Sequence, residues 1–337
     1  MRALIIAVLV AALGWSTWWL IGSTAHQRAL DGWLDAQAAR GWVAEREDLD
    51  VNGYPNRFDT TVTGLKLGDP AQGWLWEAPF FQILSLAYKP THVIAVWPNE
   101  QRVTVPEGPV DIRSDLMRGS VIFTPDTGLA LERMNIEMDK VDIAAPDGWA
   151  AGFATAKLAT GRNPDRYETD FAHDIGFDAA DLRFPSRIME IIDRKGRLPD
   201  TLSSAKLFVT AGFTGPWDRK AVETVAPGLT ALDVNEFSII WGELELEAKG
   251  SLTFDAAGVP TGSLSVRAKQ WKQMLELMVD AGAIPGGTAG TLETGLGLVA
   301  RLSGRPDTLD APLVFENGLM RLGPVPIGPA PRLIQQR

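Results

Sequence analysis

Polar and apolar positions alternate most regularly between Ile240 and Ala268. Ile240, Gly242, Leu244, Leu246, Ala248, Gly250, Leu252 and Phe254 are apolar or small, while Glu243, Glu245, Glu247, Lys249, Ser251 and Thr253 fill the odd positions. A strand turns successive side chains to opposite faces, so this pattern predicts one apolar and one charged face. A strand over 240–254 would run roughly 50 Å at about 3.4 Å per residue. Asp255-Ala256-Ala257-Gly258 has the chemistry of a type I turn ending on a left-handed glycine. Leu264, Val266 and Ala268 then resume the alternation against Ser263, Ser265, Arg267 and Lys269. Closing Asp255 on Val259 sets Glu247 opposite Arg267 and Glu245 opposite Lys269, a register that opposite charges favour.

Shorter strand-like runs fill the chain before this hairpin: Phe80–Ala87, His92–Trp97, Arg102–Val105, Ser120–Thr124, Leu129–Ile143, Ala154–Thr160 and Asp170–Leu182. The run 59–67 changes phase at Gly64, which predicts a bulge. Asn317-Gly318 joins strands Ala311–Phe315 and Leu319–Leu322, and the prolines at 324, 326, 329 and 331 suit an extended tail that blunts a sheet edge. Helical spacing is sparse. Ser186 can cap a short helix carrying Ile188, Ile191 and Ile192. Trp271, Met274, Leu275 and Met278 share one face of a helix over 270–281, and Leu292–Leu302 reads as a weaker one after a loop at Ile284–Gly287. The expected fold is mainly β (α+β): a long, curved, antiparallel meandering sheet with a few short helices.

The N-terminus departs from this pattern. Ala3–Ile21 is uncharged and mostly apolar behind Arg2. A bilayer span needs about 20 such residues. Trp15, Trp18 and Trp19 stand near its far end, where amphipathic rings favour the headgroup zone, so they are expected at the membrane interface. The rival reading is a cleaved signal peptide with Ser23-Thr24-Ala25 as its site, but the run exceeds a usual signal core. Either reading exports the remainder. Leu30, Trp33, Leu34 and Ala38 continue as an amphipathic stripe. The expected organisation is an anchor over 1–22, a neck helix over 23–44 and one elongated β-rich domain over 45–337, with a sub-boundary near 185–203.

Composition narrows the function. A net charge of −10 without a basic run argues against nucleic acid. The absence of cysteine removes disulfides, thiolate nucleophiles and cysteine metal sites, and twelve tryptophans favour contact with apolar surfaces. His26, His92 and His173 form no zinc spacing. His173-Asp174 is the best catalytic-looking pair, yet no Gly-x-Ser-x-Gly elbow supplies a nucleophile. A surface or strand-end histidine is the simpler reading. Gly295-x-Gly297-x-x-Ala300 matches a dinucleotide fingerprint by letter but follows no apolar strand. Asp165, Glu168, Asp170, Asp174, Asp178 and Asp181 fit no calcium loop and read as a solvated strand face. No catalytic residue, metal site or cofactor is expected.

One resemblance adds to this. An anchor and helix lead to Gly53-Tyr54-Pro55-x-Arg57-Phe58 and an amphipathic strand, and the chain closes on Phe315-x-Asn317-Gly318-x-x-x-Leu322-Gly323-Pro324-Val325-Pro326-Ile327-Gly328. This resembles the DUF2125 family of bacterial envelope proteins. More distantly the architecture resembles AsmA-like proteins, which implies a curled sheet enclosing an apolar groove and a part in lipid traffic. The resulting expectation is a non-enzymatic, single-pass inner-membrane protein held by residues 3–21, with its bulk in the periplasm. It would bind a lipid or other apolar envelope component, with Leu244, Leu246, Leu252, Phe254, Leu264, Val266, Trp271, Met274 and Met278 lining the groove. The alternative is an envelope scaffold with a closed, dry core that acts through protein partners.

Overall fold

The computed structural model describes residues 1–166, 171–284, 286–302 and 304–332. The chain is mainly β, its strands are joined antiparallel, and a long apolar helix precedes them. Two compact units emerge: residues 1–123 with 136–148, and residues 124–135 with 149–337. The stretch 185–203 therefore lies inside the second unit.

The first unit opens with α1 (Arg2–Ala39), which runs without a break across the expected anchor–neck junction. It is long and apolar enough to cross a membrane. Its strands are β1 (Val43–Glu45), β2 (Asp48–Asn52), β3 (Arg57–Asp69), β4 (Trp74–Leu86), β5 (Lys89–Val96), β6 (Glu100–Val105), β7 (Gly108–Arg113) and β8 (Leu116–Phe123). The end of β9 (Leu131–Ala144) completes it. The predicted bulge is not formed: the register with β4 keeps one offset from Thr63–Phe80 to Leu65–Ala78, and the phase change is a local one in which Gly64 takes φ +61 and buried positions shift from 58, 60 and 62 to 65. On the edge opposite β4, β2 pairs with residues 59–63 of β3 and β1 with residues 66–68. Leu34 packs among Ala44, Leu49, Val62 and Leu65, with Leu30 beside it. Trp33 and Ala38, expected in the same stripe, are exposed, because only one narrow arc of α1 meets the sheet.

The second unit contains the start of β9, then β10 (Ala150–Arg162), β11 (Ala172–Arg183), α2 (Ser186–Ile192), β12 (Thr201–Phe213) and α3 (Arg219–Glu223). It continues with β13 (Leu229–Trp241), β14 (Leu244–Phe254), β15 (Pro260–Lys269), α4 (Trp271–Asp280), α5 (Gly286–Leu302), β16 (Thr308–Glu316), β17 (Leu319–Leu322) and β18 (Val325–Pro329). From β10 to β18 each strand pairs antiparallel with the next, a meander interrupted only by the helices. β18 carries Pro326 and Pro329, which donate no backbone hydrogen bond to a further strand.

The β14–β15 hairpin has the predicted register, with Glu245 opposite Lys269 and Glu247 opposite Arg267. Asp255 accepts from Ala257 and Val259 N–H, both at 2.9 Å, and Gly258 takes φ +73. Asn317 and Gly318 both take positive φ, as a two-residue type I′ turn requires. The long strand predicted over 240–254 is corrected. β13 ends at Trp241, Gly242 and Glu243 form a two-residue turn, and Trp241 faces Leu244. Such a turn inverts parity, so Trp241 joins the apolar face and Ile240 lies opposite Glu245 on the charged one.

Four helical details also differ from expectation. Ser186 caps nothing, because Pro185 holds the N-cap position, and Met189 and Ile192 rather than Ile188 and Ile191 turn inward. In α4, Leu277 is buried while Met278 is 43% exposed. The helix packs against two clusters at once, which widens its buried arc toward Leu277. α5 begins at Gly286, within the expected loop, because packing of Leu292, Leu296 and Val299 outweighs the weak propensity of its glycines. The fingerprint-like glycines lie on this helix: a side chain at Gly295 would strike Val325, and Gly297 faces the Trp271 ring.

Candidate functional site: an apolar band on the second unit

Successive registers align apolar residues across seven strands. One row runs Leu158, Phe177, Leu207, Phe237, Ala248, Val266 and Ala311, from β10 to β16. The neighbouring row runs Thr160, Ile175, Val209, Val234, Gly250, Leu264 and Leu313. Adjacent strands lie about 4.8 Å apart, so the band extends on the order of 29 Å. Two irregularities hold it in phase. A bulge between Val234 and Phe237 lets Leu232 and Val234 share a face with Phe237 and Ile239, and a shift at Phe208/Val209 matches it on β12.

The band is not uniformly covered. At the Trp241–Leu244 end, Leu198, Leu202, Trp241, Leu244 and Leu277 form a buried cluster, with Met274, Met189 and Ile192 against it. Beside it, Ala268, Trp271, Leu275, Leu296, Ala300, Leu309 and Ala311 form a second, into which Leu246 and Met274 pack. The indoles are satisfied: Trp241 Nε1 donates to Pro199 O at 2.7 Å and Trp271 Nε1 to Pro306 O at 3.0 Å. Further along the same face Leu158, Ile175, Phe177, Leu207, Phe237, Leu264, Val266 and Leu313 are half-buried.

The expected lining residues therefore divide. Leu244, Leu246, Trp271 and Met274 belong to the helix-covered end. Leu252 is buried, Phe254, Leu264 and Val266 are half-buried on the open part, and Met278 turns to solvent. Sequence reading missed the contributions of β10 to β13. The signal existed in β11, where Ile175 and Phe177 alternate with Asp174, Gly176 and Asp178.

The reverse face is a ladder of alternating charge: Lys157, Asp178, Lys206, Ser238, Glu247, Arg267 and Asp310 align across the same strands. Lys206 lies 3.6 Å from Asp178, Arg267 reaches Asp310 at 2.9 Å, and Lys269 reaches Glu245 at 2.6 Å. These carboxylates hold the Arg267 and Lys269 cations above their ordinary pKa.

His173 is not a surface residue. It is buried at the start of β11, its Nδ1 lies 3.3 Å from Thr160 Oγ1, and its ring meets Phe213 edge-on. Burial first, then the Arg162 guanidinium, lowers its pKa from the ordinary value. Asp174 projects to the other face, where it accepts from Asn163 and from Thr210 at 2.7 Å, so it does not orient the imidazole. Of the acidic run, Asp178 and Asp181 are exposed, while Glu168 and Asp170 lie outside the described residues. Among the described residues no three His, Cys, Asp or Glu side chains converge as a metal set.

The tryptophans expected at a membrane interface also separate. Trp15 and Trp18 are 38% and 45% exposed, with ring centroids 5.0 Å apart. Trp19 is buried against Phe58 and Ala87, because its indole donates to Arg57 O at 2.8 Å.

No curated protein and no solved structure matches the chain. One family model does, over residues 18–331, and its description is an uncharacterized protein conserved in bacteria. That match takes in both units and the second half of α1, so the chain belongs to the DUF2125 family.

Proposed function

We propose that this protein is anchored in the bacterial inner membrane by α1 and works in the periplasm, holding a lipid or another apolar envelope component along the band of the second unit. Such a role serves envelope maintenance or lipid transfer. The observation that carries this reading is the set of large half-buried side chains in the row from Leu158 to Val266, where only the small Ala248 is buried. A folded sheet face otherwise closes its apolar side chains against a second layer. Here α4 and α5 supply that layer at one end, while the large side chains further along keep part of their surface accessible. An apolar ligand gains about 25 cal/mol for each Å² it removes from water there, with no covalent chemistry. The paired charges behind the band fix register without presenting a net charge to a ligand.

Photo-crosslinking tests this directly. A benzoylphenylalanine at Leu264, illuminated in living cells, is expected to yield adducts of lipid mass, and the same group at Trp271 only intramolecular products. Intramolecular products alone at Leu264, as at Trp271, would support the scaffold reading with its closed, dry core. Absence of any adduct at Leu264, Val266 and Phe237 would reject ligand binding along the band.

A further inference from the structure

The apolar run of α1 does not stand clear of its own unit. The indole N–H of Trp15 donates to Pro55 O at 2.9 Å. The Ser16 and Tyr54 hydroxyls lie 2.8 Å apart, and the Tyr54 ring meets Trp19 edge-on with centroids 5.4 Å apart. These partners all sit on the turn between β2 and β3. The β4–β5 turn is tied to it, because Ala87 N–H donates to Asn56 O at 2.8 Å. Yet apolar exposure on α1 continues past these contacts, with Leu20 and Ile21 at 58% and 66%.

Length decides what this means. At about 1.5 Å per residue, Ala3–Ile21 covers about 28 Å, close to the hydrocarbon thickness of about 30 Å. The residues ahead of the first strand contact, 2–14, cover only about 20 Å. A span that stopped at Trp15 would be too short and would leave Leu20 and Ile21 in water. The geometry points to the opposite arrangement: the β2–β3 and β4–β5 turns enter the same leaflet as the far end of α1, with the Tyr54 hydroxyl held on Ser16 below the boundary at Ile21. This rests on the reading of α1 as a membrane span and adds a second membrane-binding element to it.

The turns are built for that depth. Non-helical backbone tolerates a lipid environment only where its polar groups are satisfied. Gly53 O accepts from Asn56 and Arg57 N–H, Pro55 has no N–H, Pro55 O takes the Trp15 indole, and Asn56 O takes Ala87. Tyr54 and Tyr88 are 56% and 59% exposed, and each presents an apolar ring with a polar tip. Arg57 is paired with Asp59 at 2.9 Å, so that charge enters the headgroup region neutralised. The occupant is the bilayer itself, because the exposed aromatic side chains are continuous with the span that crosses it.

The chain has no cysteine, so single labelled positions can be compared. Full-length Tyr88→Cys, Leu9→Cys and Glu107→Cys, each carrying the fluorophore NBD, are reconstituted into phosphatidylethanolamine–phosphatidylglycerol vesicles with nitroxide lipids of shallow or deep position. Glu107 lies on the β6–β7 turn, and Pro106 beside it contacts Gly73 at the opposite end of β3 and β4. The expected result is deep quenching at Leu9, shallow quenching at Tyr88 and none at Glu107. Lys89→Cys repeats the measurement with Tyr88 kept. Quenching at Leu9 with Tyr88 and Lys89 indistinguishable from Glu107 overturns turn insertion and leaves the span standing. No quenching at Leu9 overturns both. A blue-shifted but unquenched probe at Tyr88 assigns the turn to contact with a second copy and overturns bilayer insertion.

Discussion

Two stretches of one sheet face are built by the same strands and meet different fates. Around Leu246, Ala268 and Leu309 the face is sealed by α4 and α5, which fold back between β15 and β16. Two residues along, at Val266, and four along, at Leu264, the large side chains stay half-buried. Alternation on β14 and β15 is the same in both places. What differs is a tertiary choice, namely where one helical excursion lands, and that choice separates a sealed core from a half-buried surface.

The largest expected effect lies at the sealed end. Trp271→Ala removes a buried aromatic and its hydrogen bond to Pro306 O, and should cost about 3–5 kcal/mol in denaturant unfolding of the detergent-solubilised chain. Leu264→Ala is expected to cost only about 1 kcal/mol, because part of the leucine is already wet. The same substitution should weaken uptake of a fluorescent fatty acid about fivefold, the equivalent of about 1 kcal/mol. If Leu264→Ala instead destabilises as much as Trp271→Ala, the band is a closed core and the comparison collapses.

These two sites also mark what sequence could reveal. The β14–β15 hairpin was legible because turn chemistry at Asp255–Gly258, facing charges and strict alternation agree. The inverted parity at Gly242 was not, because alternating residues on either side of a two-residue turn look like one strand. β12 and β13 escaped notice for a related reason. Residues 209–213 of β12 are all buried, which erases alternation, and the β13 bulge at Asn235-Glu236 shifts its phase. The band depends on register across seven strands, and no single strand encodes it. The long apolar helix was legible from hydropathy alone, but the burial of Trp19 depends on a partner 38 residues away.

A third expectation concerns the polar margin of the band. His173 lies opposite Arg162 in the register, and burial with that guanidinium lowers its pKa, against weaker pulls from the Glu132 and Asp174 carboxylates. Between the lowered folded value and the unfolded value near 6.5, the unfolded chain binds a proton that the folded chain refuses. Stability conferred by neutral His173 is thus full above about pH 6.5 and declines as pH falls from there toward the folded pKa. The difference in melting temperature between wild type and His173→Phe, followed from pH 8 to 5, isolates the second unit. A constant difference would mean that His173 is not a buried neutral base.

The smallest effect is expected behind the band. Lys206 and Asp178 face each other across β11 and β12 at 3.6 Å, both about half exposed. A pair in that setting contributes about 0–1 kcal/mol, because water already screens it and two long side chains lose freedom to form it. Asp178→Asn should therefore barely move the unfolding midpoint, and less still in high salt. The ladder's larger role is to resist slippage, since a shift of one residue would carry Phe177 and Leu207 onto the charged face. Reversing the charge tests this. Asp178→Lys places like charges beside Lys157 and Lys206, and should raise amide exchange along β11 while leaving α4 and α5 protected. If exchange rises equally in those helices, the open and sealed ends unfold as one unit, and the distinction between them is one of exposure alone.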